Sequence, residues 1–529
     1  MAPVTSSRGH KMQEAQKEMS SDPTKRPVGS LAVVGDASEV VDVVVLGFGA
    51  AGAAAAITVH DLGGTALILE KAEVGGGSTQ ASGGNIRTIR DPGKAVAHFA
   101  RIADQGTPIE SLSAMVQGML LLPEWLKGLG AEFAVNAVAG GLATIAPNQA
   151  LGVIPQGSAF SEKGEPDPVG PRMQVAGEKH QSGGERLWAV LEKSVIDRGI
   201  RVEYKISVDR LVRDNDGRIS GVEIRVGDSF RRILARGGVV LACGGFNWSP
   251  EMHIDLFGTR LYALTPPHRN EGDGIRLAQD VGAQLWHMTA IAARYGYKFP
   301  EYEAAFKCTP PSQGIFLVDQ LGRRYVDEAG VPIHSAGLCM LDRDPKTGRL
   351  LRCPSHLVFD ETTRLSGPIG PQPNGHNRTY TWSHDNSAEI ERGWIVRADT
   401  LGELAKLIGV PPDTLGETTR RFNAACLSDD DEYGRAASNM EQVITPPFYS
   451  VPVWPVLLNT QGGPKRNERS EVLDTRNNPI PGLFSAGELG SLWGRLYPGA
   501  GNVAEALVSG QAAAANALAV RWAESENNM

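Results

Sequence analysis

Cysteine is scarce in this chain of 529 residues, long hydrophobic runs are missing, and positive charge is not in excess. The five cysteines are scattered and show no C-x-x-C spacing, which predicts a reducing compartment and neither a metal nor a haem site. No apolar run reaches the roughly 18 residues of a membrane span. Residues 1–30 also lack the apolar core of a signal peptide. We therefore expect a cytoplasmic protein without a membrane span.

The balance of charge and composition narrows the class of protein further. A formal net charge of -8 argues against a nucleic-acid partner. Glycine (62 residues) and proline (33) are abundant beside 41% hydrophobic residues, as is typical of a loop-rich α/β enzyme with more than one domain. Residues 1–38 have few large apolar side chains, and we expect a disordered tail there.

A dinucleotide-binding pattern follows this tail. The apolar run from Val41 to Leu46 predicts a buried parallel strand, and Gly47, Gly49 and Gly52 follow it in a G-x-G-x-x-G spacing. These glycines permit a tight turn, close approach of a pyrophosphate and close packing of the next helix against the strand. A second apolar strand ends at Glu70, whose carboxylate can accept a hydrogen bond from a ribose hydroxyl. The combination predicts a site for an adenine dinucleotide.

Two later glycine-rich segments extend this prediction. The loop of residues 75–85 offers many backbone N–H groups and lets a planar ring lie against the chain, although a flexible loop is the alternative. The strand end at residues 242–246 fits a large dinucleotide that is held from two sides. Asp273 either contacts this cofactor or caps the helix that begins there.

The pattern of strand, glycine and helix stops between residues 285 and 445, where aromatics, prolines and histidines increase. It returns in residues 446–520, which include a buried strand before Glu488 and a glycine-rich loop at residues 497–502 before an alanine-rich helix. We therefore expect an α/β fold in which residues 39–284 and 446–520 form a Rossmann-like nucleotide-binding domain. Residues 285–445 would form an inserted α+β cap that holds the substrate.

These segments together resemble the flavoprotein family of fumarate reductase and 3-ketosteroid dehydrogenase over about residues 41–520. The matching blocks are GFGAAG at 47–52, Glu70-Lys71, GGGSTQASGGN at 75–85, ACGGF at 242–246, EGDGI at 271–275, GRRYVDE at 322–328, TQGG at 460–463, PIPGLFSAGE at 479–488 and GAGN at 499–502. The resemblance implies FAD rather than NAD, and a substrate held between the cap and the flavin ring.

The resemblance also implies which residues contact FAD. The positions that we expect to form the FAD site are Gly47, Gly49, Ala51, Gly52, Glu70, Lys71, Ser78, Thr79, Ser82, Gly83, Gly84, Asp273, Glu488, Asn502 and Val503. Members with covalent flavin carry a histidine near the second glycine loop. Gly77 stands at that position here, so we expect non-covalent FAD.

Departures from the family pattern exclude fumarate as the substrate. Fumarate reductases hold a dicarboxylate with histidines and arginines, whereas the corresponding residues here are Leu458, Asn459, Pro498 and a position near Pro332. A dicarboxylate would enter without charge partners, and burying an unpaired carboxylate is strongly unfavourable.

The loop from Tyr497 to Gly501 instead resembles the Y-P-G-P-G loop of ketosteroid dehydrogenases. In that family the tyrosine hydroxyl and the N–H of the last glycine bind the substrate ketone. Two fixed donors of this kind stabilise the enolate that forms when a proton is removed beside a carbonyl. The alternative for Tyr497 is a core aromatic that fixes the loop.

The tyrosine that removes the proton in ketosteroid dehydrogenases has no counterpart here, because the matching residues end at His334. His334 is a candidate acid or base, since an unperturbed imidazole has a pKa near ~6.5. Tyr295 and Tyr297 are other candidates from the cap. Arg294 falls near a family histidine that contacts the substrate. Each of these residues is alternatively a packing or surface residue.

Three functions remain open at this point. The leading hypothesis is an FAD-dependent oxidoreductase of the 3-ketosteroid dehydrogenase type, which acts on a CH–CH bond next to the carbonyl of an apolar polycyclic ketone and uses an external electron acceptor or donor. The second is an ene-reductase of the fumarate reductase type for another unsaturated carbonyl or carboxylate, with Arg294, Arg466 or Arg495 binding the acid group. The third is a flavin-binding electron carrier that is not an enzyme.

Overall fold

A computed structural model of the protein describes residues 39–103, 106–134, 169–178, 181–226, 229–266, 268–332, 334–370, 380–494 and 497–521. The predicted tail at residues 1–38 lies outside these ranges, as does Arg495.

Strands and helices alternate through much of the described chain. The strands are β1 Glu39–Leu46, β2 Ala66–Glu70, β3 Ile86–Ile89, β4 Phe133–Ala134, β5 Val169–Val175, β6 Arg201–Tyr204, β7 Val208–Arg213, β8 Ile219–Val226, β9 Ser229–Leu241, β10 Tyr262–Ala263, β11 Leu285–Trp286, β12 Ile291–Tyr297, β13 Phe306–Lys307, β14 Ile315–Val318, β15 Ser355–Asp360, β16 Val396–Ala398, β17 Phe448–Thr460, β18 Gly463–Pro464, β19 Glu471–Leu473 and β20 Pro479–Ser485. The helices are Ala50–Asp61, Gly77–Ala81, Pro92–Ile102, Ile109–Gly128, Gly183–Asp197, Pro250–Phe257, Asp273–Asp280, Glu361–Ser366, Ser387–Glu391, Leu401–Ile408, Pro412–Ser428 and Gly501–Ala519, with 3-10 helices at Ala336–Leu341 and Ala437–Asn439.

The first sheet has a parallel centre, as the apolar runs of the sequence predict. Among the described residues it contains eight strands, six of them in the order β19-β20-β9-β1-β2-β6, with the hairpin β7–β8 joined to β9. β1 pairs in parallel with both β2 and β9, so the chain crosses over between neighbouring strands. Helices Ala50–Asp61 and Gly501–Ala519 belong to the core cluster on this sheet. The predicted α/β class is confirmed.

The second sheet forms the framework of the cap. Seven described strands belong to it, five of them in the order β13-β12-β17-β15-β14, and both β10 and β16 also pair with β17. The long central strand β17, Phe448–Thr460, lies after residue 445, where we expected the cap to end. It nevertheless pairs with cap strands on both sides. The pairing of β17 with distant strands places it in the second sheet, which the sequence alone does not show because a largely apolar stretch of 13 residues does not reveal the sheet that it joins.

No helix in the described part of the chain combines the length and the apolar character that crossing a membrane requires.

Candidate active site

One large cavity contains most of the residues that the sequence singled out. It has a volume of about 770 Å³ and is lined both by the ends of β1, β2 and β9 and by residues of the second sheet. Ligands of open α/β sheets bind outside the carboxyl ends of the parallel strands, which is where this cavity lies. We call the part next to the first sheet the nucleotide end and the part next to the second sheet the substrate end.

The glycine motif forms the tight turn that its spacing predicts. Gly47 has a φ of +102°, and a Cβ atom on Gly52 would lie 1.9 Å from the carbonyl oxygen of Gly47. Helix Ala50–Asp61 can therefore begin directly against the end of β1. Gly47, Gly49 and Ala51 line the cavity, whereas Gly52 acts through this close packing. The positive end of the helix dipole at this N-terminus favours a bound phosphate.

Glu70 is held in a fixed orientation at the end of β2. Its carboxylate accepts hydrogen bonds from the backbone N–H groups of Phe48 (2.7 Å) and Ala72 (2.8 Å). The side chain also lines the cavity. Two amide donors leave further oxygen lone pairs of the carboxylate available to a ligand hydroxyl.

The second glycine loop packs against the first. Thr79 Oγ1 accepts a hydrogen bond from the N–H of Ala50 (3.0 Å), and Ser82 Oγ accepts one from the N–H of Gly84 (3.0 Å). Asn270 donates a hydrogen bond from Nδ2 to Ser78 Oγ (2.9 Å). The cavity wall includes Gly77, Ser78, Thr79, Ser82, Gly83 and Gly84 from this loop.

Lys71 joins two segments that are distant in sequence. Its Nζ donates hydrogen bonds to Glu271 (2.7 Å) and Asp273 (2.6 Å), and all three residues line the cavity. Burial lowers the pKa of Lys71, but the hydrogen bonds and charges of the two carboxylates outweigh it and raise the pKa above its ordinary value. Asp273 makes no side-chain hydrogen bond as a helix cap, and Gly272 holds the cap position. The suggested capping role of Asp273 is therefore wrong.

Polar groups from the later part of the chain also line the cavity, and two of them lack a hydrogen-bond partner among the described residues. Glu488 Oε1 accepts a hydrogen bond from the N–H of Thr460 (2.9 Å), and burial raises the pKa of Glu488 to about 7. Asn502 Oδ1 and Asn459 Nδ2 are buried and have no hydrogen-bond partner among the described residues. Both asparagines line the cavity, as does Val503. Buried polar groups in this state indicate a polar ligand.

A search against protein families matched the family described as "FAD binding domain" over residues 42–503. The chain belongs to this family. The cavity suits FAD, because its nucleotide end offers a helix N-terminus to phosphate and an oriented carboxylate to a ribose, and its wall offers unpaired amide groups. When bound, FAD supplies a ring that accepts or donates a hydride.

Curated relatives show the kind of chemistry. The 4-oxocyclohexanecarboxylate 2-dehydrogenase of Sinomonas cyclohexanicum is 28% identical over 89% of this chain and 91% of its own length. The 3-oxosteroid 1-dehydrogenase of Mycobacterium tuberculosis is also 28% identical, over 89% of this chain and 97% of its own. Other relatives, with 24% and 27% identity, are reductases. The flavoprotein is thus an FAD-dependent oxidoreductase acting on CH–CH bonds, and the hypothesis of an electron carrier without enzymatic activity is set aside.

The fold is that of solved enzymes in the same group. The 3-ketosteroid Δ1-dehydrogenase of Sterolibacterium denitrificans matches with a TM-score of 0.75 and 20% identity, over 91% of this chain and 100% of that one. The predicted resemblance and the predicted combination of a Rossmann-like FAD-binding fold with a cap are confirmed.

The substrate end of the cavity brings together residues from distant parts of the chain. Tyr497 and His334 line it, and their rings meet edge to face with centroids 4.8 Å apart. Arg294 from β12, Lys307 from β13 and Arg172 from β5 line the same cavity. This end is therefore cationic rather than purely apolar.

Burial and charge set the protonation states here. Burial lowers the pKa of His334 to about 3, and the positive charges of Arg294, Arg172, Lys307 and Arg87 act in the same direction. His334 is therefore neutral near pH 7.

Tyr497 is also neutral near pH 7, for a different balance of reasons. Burial raises the pKa of its hydroxyl, while the amides of Asn502 and Ala500 and the charges of Arg87 and Arg172 lower it by a smaller amount. The pKa remains above its ordinary value, so the hydroxyl keeps its proton and can donate a hydrogen bond.

Several expected residues lie elsewhere. Tyr295 and Tyr297 point into the core of the cap on the opposite face of β12, where their hydroxyls contact Cys339 (3.4 Å) and Cys308 (2.9 Å). Strand alternation explains this, because Arg294 faces the cavity and Tyr295 must then face away. We therefore no longer propose Tyr295 for proton transfer.

Gly501 and Arg466 also differ from expectation. Ala500 and Asn502 line the cavity, but Gly501 does not, and a Cβ atom on Gly501 would lie 2.7 Å from Pro498 Cγ. Arg466 is buried away from the cavity and donates a hydrogen bond to Glu505 (2.5 Å), so we do not propose it for binding an acid group.

Sequence reasoning missed three residues of this end. Arg87 donates hydrogen bonds to the carbonyl oxygens of Pro498 (2.8 Å) and Gly499 (2.8 Å) and thereby fixes the Tyr497 loop. Lys307 and Arg172 line the cavity. None of the three stands in a recognisable motif, and only the pairing of β13 with β12 and of β3 with β5 places them here.

Proposed function

We propose that this flavoprotein dehydrogenates the CH–CH bond next to the carbonyl of a ring ketone, with FAD as the hydride acceptor and an external electron acceptor completing the cycle. The observation that carries the proposal is the position of Tyr497. It lines the same continuous cavity as the residues expected to hold FAD, and its hydroxyl remains protonated.

Tyr497 would polarise the ketone of the substrate as a hydrogen-bond donor. Its hydroxyl donates a hydrogen bond to the ketone oxygen, where negative charge develops as the neighbouring carbon loses a proton. The positive charges of Arg87 and Arg172 lower the pKa of Tyr497 by attracting negative charge on its oxygen. The same attraction would stabilise the negative charge that develops on the ketone oxygen beside it. Arg87 in turn holds the loop in position.

His334 would accept the proton. It is neutral near pH 7, so one of its ring nitrogens carries a lone pair instead of a proton. It also packs against Tyr497, so a carbon next to the bound carbonyl would lie within its reach. A pKa of about 3 makes it a weak base, which places greater demand on the stabilisation of the enolate by Tyr497.

The names of the two dehydrogenase relatives share one chemical feature. One acts on an oxocyclohexane and the other on an oxosteroid, so both act on a ring ketone. Our proposal takes over this shared feature, with 3-ketosteroids as the polycyclic class to test first and cyclohexanones as the smaller class.

The test is anaerobic mixing of the FAD-loaded protein with a panel of 3-ketosteroids and substituted cyclohexanones. A substrate should bleach the flavin absorbance, and product analysis should show a new double bond next to the carbonyl. Tyr497→Phe should slow bleaching about 100-fold or more, because one donor to the oxyanion is lost. The matched control is Tyr262→Phe, in β10 of the second sheet, which should bleach at the normal rate. Equal rates in both variants, or no bleaching by any ketone, would refute the proposal.

A second candidate function is the reverse reaction on an enone. It is favoured by the reductases among the relatives. Chemically reduced protein would then be reoxidised anaerobically by the enone faster than ketones bleach the oxidised form. Absence of reoxidation would exclude this direction.

A further inference from the structure

Two cationic side chains stand on one face of the second sheet. Lys307 lies directly opposite Gly296 in the antiparallel pair of β12 and β13. Arg294 precedes Gly296 by two residues and therefore faces the same side of the sheet. Arg294 and Lys307 are thus diagonal neighbours across the pair, at a spacing that long side chains bridge easily.

Neither cation has an anionic partner among the residues that the structure describes. Arg294 and Lys307 take part in none of the ion pairs of the described residues in this region. The Nε atom of Arg294 is buried and has no hydrogen-bond partner among these residues. Burial lowers the pKa of Arg294 to about 10 and that of Lys307 to about 8, and the charge of Arg294 adds to the effect on Lys307. The charge of Arg294 therefore disfavours the charged form of Lys307.

Two arginines of the cap that are fully buried, Arg324 and Arg435, do have anionic partners. Arg324 and Arg435 each form an ion pair with Glu328, at 2.9 and 3.1 Å. The buried charges of Arg324 and Arg435 are thus neutralised within the protein by a carboxylate. An unpaired pair of partly buried cations is unfavourable for folding, and such groups cluster at sites where a ligand provides the missing charge.

The position of the pair within the cavity indicates which ligand this is. Arg294 and Lys307 line the substrate end together with Tyr497 and His334. The phosphates of a dinucleotide are expected instead at the helix N-terminus that follows Gly49, on the first sheet. A wholly apolar substrate would cover both cations and remove them from water without compensation.

We propose that Arg294 and Lys307 form a carboxylate-binding subsite, so that the substrate is a ring ketone that also carries a carboxylate group. The planar guanidinium of Arg294 matches both oxygens of a carboxylate, and Lys307 adds a point charge beside it. This inference rests on the proposed function, because Tyr497 is assigned to the ketone of the same molecule.

The bound carboxylate also affects the proton acceptor. Arg294 and Lys307 are two of the charges that hold the pKa of His334 low. A substrate anion between them and His334 neutralises part of that field and makes the imidazole a stronger base. The subsite would then activate the catalytic step as well as bind the substrate.

The binding test uses cyclohexanecarboxylate, which has the acid group but no ketone and cannot react. Calorimetry on the FAD-loaded protein should show binding that weakens about 10- to 100-fold in Arg294→Met and in Lys307→Met, the range expected for losing a hydrogen bond to a charged group. Lys307→Arg should restore most of the affinity. The matched control is Arg397→Met, an exposed arginine of β16 in the same sheet, which should bind normally. FAD content and melting temperature confirm that each variant is folded.

The kinetic test compares a cyclohexanone carboxylate with its methyl ester. The acid should bleach the flavin with a KM at least about tenfold below that of the ester, and Arg294→Met should remove the difference. Absence of cyclohexanecarboxylate binding, equal binding by Arg294→Met and the control, or equal KM values for acid and ester would overturn the subsite.

The two proposals fail separately. If cyclohexanecarboxylate binds through Arg294 while no ketone bleaches the flavin, the subsite stands and the proposed dehydrogenation is wrong. If neutral and acidic ketones bleach the flavin equally well, the dehydrogenation stands and the subsite is wrong. If inorganic phosphate binds the pair and cyclohexanecarboxylate does not, the carboxylate assignment is wrong.

Discussion

The imidazole of His334 stands edge-on to the phenol ring of Tyr497, with ring centroids 4.8 Å apart. His334 follows β12 and β14 in the cap, whereas Tyr497 precedes the last helix of the FAD-binding part. The contact therefore joins the two parts of the protein at the substrate end of the cavity. Both rings are neutral near pH 7, so the pair is suited to donating one hydrogen bond and accepting one proton.

The first prediction concerns pH. The folded pKa of His334 lies below the ordinary value of 6.5, so its proton-accepting form is fully present at neutral pH and is lost only as the pH falls through about 3. We expect kcat/KM for a neutral ring ketone to show no break near pH 6.5 that depends on this residue. Comparison of the profiles of the wild type and His334→Gln checks this. A break near 6.5 that is present in the wild type and absent in the variant would contradict it.

A second prediction concerns the loop that carries Tyr497. Arg87 holds this loop with a fork of hydrogen bonds to Pro498 and Gly499. Lysine keeps the charge but not the fork, so Arg87→Lys should lower turnover about tenfold through misplacement of Tyr497 while the FAD content stays unchanged. Arg90→Lys, at an exposed arginine three residues later, is the control. If both variants turn over equally, the loop does not depend on the fork.

The nucleotide end offers a third test. Glu70→Ala removes the acceptor for the amides of Phe48 and Ala72 as well as the ligand contact that we propose for Glu70, and we expect the dissociation constant of FAD to rise about tenfold or more. Glu73→Ala removes an exposed carboxylate paired with Lys205 and should leave FAD binding unchanged. Titration of stripped protein with FAD measures both constants. Unchanged binding in Glu70→Ala would remove Glu70 from the FAD site.

The fourth prediction concerns how FAD is attached. Gly77 lines the cavity. The resemblance described in the sequence analysis implies that Gly77 stands where covalent members of the family carry a histidine, and glycine has no side chain to form such a bond. Acid precipitation should therefore release all of the yellow flavin into the supernatant. Flavin that stays with the pellet after washing in denaturant would show a covalent link through another residue.

The fifth prediction concerns stability. Glu328 is fully buried and accepts hydrogen bonds from Arg324, Arg435 and the N–H of Leu317. Glu328→Gln leaves two buried guanidinium groups without their shared charge, and we expect the free energy of unfolding to fall by about 3 kcal/mol. Glu417→Gln, which breaks only exposed ion pairs, is the control. Urea denaturation compares them, and equal midpoints would mean that Glu328 contributes no more than a surface pair.

The sequence by itself determined the nucleotide end. Local chain geometry governs a tight turn, a buried parallel strand and a helix start, and glycine spacing and apolar runs specify these directly. Gly47, Glu70 and the second glycine loop therefore line the cavity where their order predicts. The order of these segments also allowed FAD to be predicted as the cofactor, since the match to the FAD-binding family depends on the same local sequence patterns.

Only the tertiary structure decided the substrate end. The side of β12 that faces the cavity depends on strand pairing, which turned Arg294 inward and Tyr295 into the core. The pairing of β13 with β12 likewise brought Lys307 beside Arg294, although the two lie 13 positions apart in the sequence. The sequence around a single lysine or arginine does not show which residues will lie next to it. Whether its charge is paired or unpaired depends on contacts between distant segments, and these form only when the chain folds.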